Sequence, residues 1–315
     1  MPFEDLIQPI DRRVLKAELT PDVFVRPTNY LQNEIYIFNG NEKPNLLLEI
    51  GRLRELSFRT AGGGTGKSCD LDEFDQGPYA YNQIVVWNPQ QEEIVGAYRF
   101  ALCEQNKDDK GQYHLSTAEI LEFSNRLRTH YFPVTIELGR SFVQPKFQPS
   151  AENKQGLFSL DNLWDGLGAL VVDHPSIRYF FGKITMYSDF NKEARDMILA
   201  FMHHYFPDSE TLVRPHEPLL PETNSASFLE EIEGMDYKSA FKVLSQSVRA
   251  LGENIPPLFS SYMNLSPTMK TFGTAINDHF GYVEETGVMV TIGDIYDSKK
   301  ERHIQSYLDF KGQNS

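Results

Sequence analysis

Cysteine is scarce: the 315 residues contain two, Cys69 and Cys103. A pair this far apart gives neither a disulfide framework nor metal-ligand spacing, so each reads as an incidental thiol. Long hydrophobic runs are missing too. The longest uncharged apolar stretches, such as GLGALVV at 166–172, fall far short of the roughly 20 residues that cross a bilayer. The N-terminus, MPFEDLIQPIDRRVLKAELT, has acids and a proline where a signal peptide begins basic and turns apolar. A cytoplasmic location is therefore expected, and peripheral contact with the inner face of the membrane is the most that the sequence allows. Basic residues are outnumbered, 30 Lys and Arg against 44 Asp and Glu, for a net charge of -14. That balance argues against generic nucleic-acid binding, and an acidic partner would have to dock on a local basic patch.

What is present is an ordinary globular composition, 40% hydrophobic and 12% aromatic, enough for one large core or two modest ones. NEIYIFNG (33–40) alternates as a strand does, and PNLLLEIGRLRELSFRTA (44–61) puts Leu46, Ile50, Leu53 and Leu56 at helical spacing. NQIVVWNP (82–89) and EEIVGAYRFALC (92–103) predict a hairpin through a proline-containing turn. After a partly helical stretch at 116–128 comes the strand TIELGRSFVQP (135–145). A helix over 159–173 follows with Ser159 as its expected cap, then a strand over 178–190 and a helix that Pro207 ends. Residues 208–224 read as a connecting excursion, 227–252 as one or two helices, 255–265 as a turn plus helix, and 288–296 as a closing strand. This order predicts an α/β fold with a mixed sheet.

AGGGTGKS (61–68) fits a relaxed phosphate-loop pattern. Its context argues against that reading: an amphipathic helix precedes it, and the acidic CDLDEFDQGP follows, where carboxylates would repel phosphate. A flexible glycine loop that closes over something is the better expectation. In the acidic run, Asp70, Asp72, Glu73 and Asp75 crowd together. They read either as a solvated loop or as a site for a cation or an ammonium group. Arg99, between apolar neighbours on its strand, needs a partner. Glu137 and Arg140 would point to opposite faces of an ideal strand, so burying both faces would strand one charge. A β-bulge, favoured by Gly139 between them, would bring both to one side and free backbone N–H groups.

With these residues in view, RLRELSFR, DLDEFD, IVGAYRF, IELGRSFVQPKFQ, LDNLWDGLGALV and IPPLFSSYMNL resemble the aminolipid N-acyltransferases, a branch of the GNAT superfamily often labelled hemolysin-like. The similarity runs from about Glu49 to Pro207 and resumes near Ile255. Its longer wording, including AGGGTG and LWDGLGALVV, is most similar to the glycine-lipid branch of Bacteroidetes. The acyl-homoserine lactone synthases share a sparser skeleton of Arg, Asp, Asp, Arg, Glu and Arg, matched here by Arg54, Asp72, Asp75, Arg99, Glu137 and Arg140. Arg52 and Arg59 compete for the first of these positions.

The resemblance implies a GNAT-like mixed central sheet flanked by helices over 34–207, an N-terminal extension at 1–33, and a helical insertion or cap with the closing strand at 208–315. The implied reaction moves a 3-hydroxy fatty acyl group from a thioester to the amino group of a small amino acid, glycine before ornithine. A carboxylate must then take a proton from the ammonium, directly or through water, and Glu137 is the candidate. Burial raises such a group's pKa, and Arg140 or Arg99 lowers it. Glu137 and Arg99 read alternatively as a buried ion pair across neighbouring strands. Either Arg99 or Arg140 could grip the substrate carboxylate, with Arg54, Asp72 and Asp75 also assigned to substrate binding. Backbone N–H groups at Ser141, Phe142 and Val143 are the expected oxyanion donors. Tyr187 is a candidate proton donor for the thiolate, with packing as its other reading.

The loop after this strand, VQPKFQPSAENKQG, lacks the glycine pair that cradles CoA pyrophosphate in acetyl-CoA enzymes. A donor carried on phosphopantetheine alone, as on acyl carrier protein, is therefore expected ahead of acyl-CoA. Lys146, Lys154, Arg178 and Lys183 are the candidate basic patch for the carrier. Gly166, Gly168 and Ala169 could leave space for an acyl chain or allow close helix packing. No metal site and no permanently bound cofactor is indicated, and His203 and His204 read as surface histidines. The alternatives are a homoserine-lactone-type synthase using S-adenosylmethionine, a non-catalytic lipid-binding or membrane-active protein, and a nucleotide-binding module.

Overall fold

The computed structural model describes residues 3–150 and 153–313. Its strands are β1 (Phe24–Pro27), β2 (Glu34–Asn39), β3 (Asn82–Asn88), β4 (Glu93–Leu102), β5 (Leu121–Phe123), β6 (Thr135–Val143), β7 (Tyr179–Met186), β8 (Val213–Pro215), β9 (Lys270–Asn277) and β10 (Val283–Thr291). The helices that matter below are α1 (Arg12–Glu18), α2 (Pro44–Thr60), α3 (Ser159–Asp173), α4 (Lys192–Tyr205), α5 (Ala226–Ile232), α6 (Tyr237–Ala250), α7 (Pro257–Met263), α8 (Asp297–Lys300) and α9 (Ser306–Gln313). The chain divides into two units, one made of residues up to Ser116, Phe132–Arg178 and from Tyr296 onward, the other of Thr117–Tyr131 and Tyr179–Ile295. The α/β class expected from the element order is what the structure shows.

In the first unit β1, β2, β3, β4 and β6 pair antiparallel in that order. The stretch before residue 34 thus contributes an edge strand to this sheet as well as α1. Consecutive strand residues point to opposite faces, and β3 uses this to seat a helix on each side. Gln83 meets Arg54 of α2, whereas Ile84 lies against Gly166 of α3, where a Cβ would come within 2.6 Å of its side chain. A Cβ on Gly168 would lie 2.2 Å from the His303 carbonyl oxygen, so the small residues of α3 serve close packing, one of their two expected roles. The C-terminal stretch returns to this helix: His303 is buried with Nδ1 2.7 Å from Asp165 Oδ1.

α2 starts with a proline at its first turn, a position that needs no N–H. It buries Leu46, Leu47, Ile50 and Leu53 on its core face, as the 3.6-residue period requires. Arg54 and Glu55 are also fully buried, a placement that demands partners. α3 departs from expectation at its start. Ser159 is the first helical residue, not the cap, and its hydroxyl donates to the Phe147 carbonyl. A short 3₁₀ turn over Lys154–Phe158, capped by Asn153, precedes it.

In the second unit β7, β10 and β9 pair antiparallel, and β5 pairs with β8 in a separate ribbon. β9 is not expected from the sequence, and neither are the short strands β1, β5 and β8, which fall in the N-terminal extension, the partly helical stretch 116–128 and the excursion 208–224. The KTFGTAIN of β9 mixes a lysine, two threonines and a glycine into the pattern, and Pro215 packs directly over Gly273. Stretch 227–252 forms two helices, α5 and α6, separated by Gly234 at φ +73°. Leu244 and Val248 of α6 are buried, as are Ile198 and Phe201 of α4. No helix among the described residues is long and apolar enough to cross a membrane.

Candidate active site

The charges that crowd the sequence converge on the α2 face of the first sheet. Arg54 donates to Asp75 Oδ1 at 2.8 Å and to Gln83 at 2.7 Å. Arg99 on β4 donates through one nitrogen to Asp72 at 2.6 Å and Asp75 at 3.1 Å. The guanidinium of Arg99 also stands over the rings of Phe74 and Tyr81, at 5.6 and 5.3 Å, a favourable place for a cation. Arg140 completes the series, with Nε 3.2 Å from Asp70 and Nη2 3.5 Å from Asp72. Arg52 instead pairs with Glu49 and Arg59 with Glu55, so of the three competing arginines Arg54 is the one in the cluster.

The geometry at Arg140 answers how a buried strand keeps two charges. In the β4–β6 ladder Ala97 faces Phe142 and Arg99 faces Gly139, so the single residue Tyr98 stands opposite two, Arg140 and Ser141. This is the expected bulge. The strained residue is Arg140 itself, at φ +49°, rather than the neighbouring glycine. Placing a side-chain-bearing residue in the left-handed region costs roughly 1–2 kcal/mol, which the ion pairs to Asp70 and Asp72 help offset. The bulge turns Arg140 toward the side occupied by Arg99 and Glu137. A Cβ on Gly139 would touch Arg99 and Ser116, and Ser116 bonds Glu137.

Glu137 is fully buried. Its Oε2 accepts a short hydrogen bond from the Tyr81 hydroxyl and its Oε1 one from the Ser116 hydroxyl at 3.2 Å, while the Ser116 N–H donates to the Tyr81 hydroxyl at 2.9 Å. Burial pushes the Tyr81 phenol far above its ordinary pKa, and Glu137 adds to the rise. Burial works to raise the Asp72 carboxyl as well. There it loses to Arg99, Arg140 and Arg54, which together hold that carboxyl well below the usual range. At Asp70 burial wins over the same three arginines, and its carboxyl is raised. Burial alone would depress the Arg99 guanidinium, but Asp75 and Asp72 keep it more firmly protonated than a free arginine. Most of the cluster is sealed: the side chains of Arg54 and Asp75 are 0% exposed, against 16% for Arg140 and 23% for Asp72. A cation and an anion therefore stand side by side where the cluster reaches solvent.

Ser141 and Val143 are half-buried, whereas Phe142 is buried with its ring edge-on to Phe58 at 6.5 Å. The basic residues are less collected. Lys146 bridges to Glu93 at 2.6 Å with half of its side chain exposed. Lys154 and Arg178 are exposed, and Arg178 donates to the carbonyls of Pro175 and Ile177. Lys183, in the second unit, is held 2.8 Å from Glu285 with its side chain only 11% exposed. Tyr187 belongs to that unit too, its phenol pushed up to about 12 by burial and by Glu285.

The glycine loop differs from the expected mobile cover. Its amides wrap a carboxylate: Glu55 accepts from Thr65 N at 3.0 Å, Thr65 Oγ1 at 2.7 Å and Gly66 N at 2.7 Å, with Arg59 Nε at 2.6 Å. A side chain of the chain itself thus occupies the concavity that a phosphate would need. The sequence reading passed over Tyr81, Ser116 and Gln83. Gln83 left a signal, as a lone amide inside the apolar strand NQIVVW. Tyr81 and Ser116 left none, because either residue suits a loop or a strand end.

A family model described as the acetyltransferase (GNAT) domain matches residues 53–155, a span that contains the whole cluster. The chain is 48% identical over 308 residues to a protein of Bacteroides thetaiotaomicron named glycine N(alpha)-acyltransferase, covering 98% of this chain and 91% of that one. The chain belongs to the GNAT N-acyltransferases. A protein of the same name from Phocaeicola vulgatus is 49% identical, over 97% of this chain and 94% of its own. No solved structure matches this acyltransferase.

Proposed function

We propose that this acyltransferase moves a 3-hydroxy fatty acyl group from acyl carrier protein to the amino group of glycine, in aminolipid synthesis. The observation that carries the reading is the pair at the solvent-facing edge of the cluster, Arg140 and Asp72. An amino acid at neutral pH is a zwitterion, and a guanidinium beside a carboxylate complements both of its ends. The two relatives named glycine N(alpha)-acyltransferase support glycine as the acceptor; ornithine is the next candidate.

The amine must lose a proton before it attacks the thioester. Asp72 is held strongly ionised by Arg99 and Arg140 and so has little proton affinity; it holds the ammonium. Glu137 is the base, reached through the Ser116 hydroxyl 3.2 Å from its carboxylate or through water. As the nitrogen adds to the carbonyl carbon, the oxygen gains charge. The proposed oxyanion donors are the N–H groups at Ser141 to Val143; Ser141 lies in the bulge, which takes it out of the ladder, while Phe142 and Val143 stand in register with Ala97 and Gly96. Collapse of the tetrahedral intermediate breaks the carbon–sulfur bond, and the second amine proton passes to the departing sulfur, giving the amide and the free carrier thiol.

A carrier-bound donor is supported by the chain after β6. The N–H of Gln144 bonds Val95, that of Phe147 bonds Gln144 and that of Gln148 bonds Pro145. These amides are spent within the protein and cannot cradle a pyrophosphate. Lys146 and Arg178, both with exposed charge, are the proposed contacts for the carrier's acidic surface; Lys183, in the second unit, is taken up by Glu285 and is not part of this patch. Two variants test the assignment by steady-state kinetics. Glu137→Gln is expected to lower kcat by roughly 10²–10⁴, the usual worth of a general base. Arg140→Lys is expected to raise the KM for glycine roughly tenfold or more with a smaller change in kcat. Unchanged kcat in the first, or unchanged KM in the second, would remove that residue from the mechanism.

A further inference from the structure

Asp70 has no part in the reaction as proposed, yet it occupies the costliest position in the cluster. Its side chain is 1% exposed and neither carboxylate oxygen receives a well-directed hydrogen bond. A buried carboxylate left in this state is expensive and calls for a reason. Its backbone is pinned, the N–H donating to the Gly51 carbonyl of α2 at 3.0 Å, so the side chain cannot simply turn away to solvent. The group nearest to one oxygen is Nε of Arg140, at 3.2 Å. Arg140 is the residue whose backbone is forced to φ +49° by the bulge, and whose side chain reaches solvent beside Asp72.

We infer that Asp70 is a positioning residue: it holds the guanidinium of Arg140 from the buried side through Nε, and so aims the outer part of that guanidinium at the acceptor's carboxylate. This rests on the reading of Arg140 given above. Nε lies at the root of the planar fork, so a counter-charge there fixes the plane of the guanidinium without occupying the terminal nitrogens that grip a carboxylate in bidentate fashion. The misaligned contact suits an element that tightens only when the substrate is bound.

The charges facing Asp70 are Arg140 from β6, Arg54 from α2, Arg99 from β4 and Asp75 from the loop between α2 and β3. Asp72 is held far below the usual range and Asp70 above it. Of these two contacts of Arg140, Asp70 is therefore the first to lose its charge as pH falls. Protonation removes the counter-charge at Nε and lets the guanidinium rotate.

The test uses the full chain and glycine kinetics with a fixed acyl donor. Asp70→Asn keeps the shape and removes the charge; it is expected to raise the glycine KM about tenfold at neutral pH while kcat and the donor KM change less than threefold. In an Arg140→Lys background the same substitution is expected to add less than twofold, because its effect passes through Arg140. The ratio of wild-type to Asp70→Asn kcat/KM for glycine should shrink toward one as pH falls, because the Asp70 carboxyl is raised. The ionisation of glycine itself cancels in that ratio. An unchanged glycine KM in folded Asp70→Asn, fully additive effects, or a pH-independent ratio would each overturn the inference. If Arg140→Lys raises the KM while Asp70→Asn does not, the Arg140 reading stands and only the inference falls. If Arg140→Lys has no effect, both fall. Should Asp70→Asn fail to fold, wild type against Arg140→Lys as pH falls gives the answer. A ratio that narrows toward acid supports the inference, and a constant ratio overturns it.

Discussion

Replacing Tyr81 with phenylalanine removes one oxygen from the buried centre of the site and leaves the packing in place. The ring keeps its edge contact with Phe74, centroids 5.5 Å apart, and its place beneath Arg99. Two interactions are lost: the bond from the hydroxyl to the Glu137 carboxylate and the bond from the Ser116 N–H to that hydroxyl. A hydrogen bond to a charged group contributes about 1.5–3 kcal/mol, and a buried amide left unsatisfied costs about 1–3 kcal/mol. Together the loss is roughly 2.5–6 kcal/mol, a large share of the ~5–15 kcal/mol that holds a typical protein folded. Urea denaturation should register it as a clearly lowered midpoint. The kinetics should change as well. A base that loses the donor holding it in place is less well positioned for proton transfer, so kcat at neutral pH should fall. A Tyr81→Phe protein with stability unchanged to within about 0.5 kcal/mol and the same kcat would refute the claim that this hydroxyl supports Glu137.

Three further outcomes follow from the cluster. Arg54→Met leaves Asp75 buried without its main counter-charge, and breaking a buried pair in this way typically costs about 3–5 kcal/mol; thermal denaturation should show a strongly destabilised or unfolded protein. Glu55→Gln replaces an acceptor with an amide that meets the N–H groups of Thr65 and Gly66. Hydrogen exchange of those two amides is expected to speed up at least tenfold with little effect on residues of β6. Asp72 has a depressed pKa in the fold, so its stabilising contribution is present above the unfolded carboxylate value of about 4 and is lost as pH falls toward the folded one. Asp72→Asn should therefore flatten the loss of stability below pH 4 in acid titrations followed by circular dichroism.

Much of this arrangement is legible in the sequence, for physical reasons. The alternation in β2, the short apolar runs of β3 and β4, which are buried on both faces, and the helical spacing in α2 and α3 all follow from burial, and those elements lie where the pattern puts them. β9 and the closing helices were not legible. A strand interrupted by glycine and lysine has no clean alternation, and α8 and α9 are short segments at a stretch held to α3 by tertiary contacts, such as that of His303, in the turn between them, with Asp165 and that of Tyr307 in α9 with Asp173. At the site, charges inside apolar strands are costly enough to stand out, and so Arg99, Glu137 and Arg140 could be singled out from their neighbours alone. The partners of those charges were harder to see. Arg99 is held by two aspartates from a loop more than twenty residues earlier in the chain, a pairing that only the tertiary fold determines. The glycine loop misleads by composition: its glycines serve turns around Glu55, as Gly64 and Gly66 at φ +95° and +78° show.

The account's central claim is N-acylation of glycine from a carrier-bound thioester. Its most direct test is mass spectrometry of the purified protein incubated separately with 3-hydroxyacyl carrier protein and with 3-hydroxyacyl-CoA, each in the presence of glycine, ornithine and serine together. The account predicts N-(3-hydroxyacyl)glycine as the main product, formed faster from the carrier protein. No N-acyl amino acid from either donor, with protein shown to be folded, would contradict it.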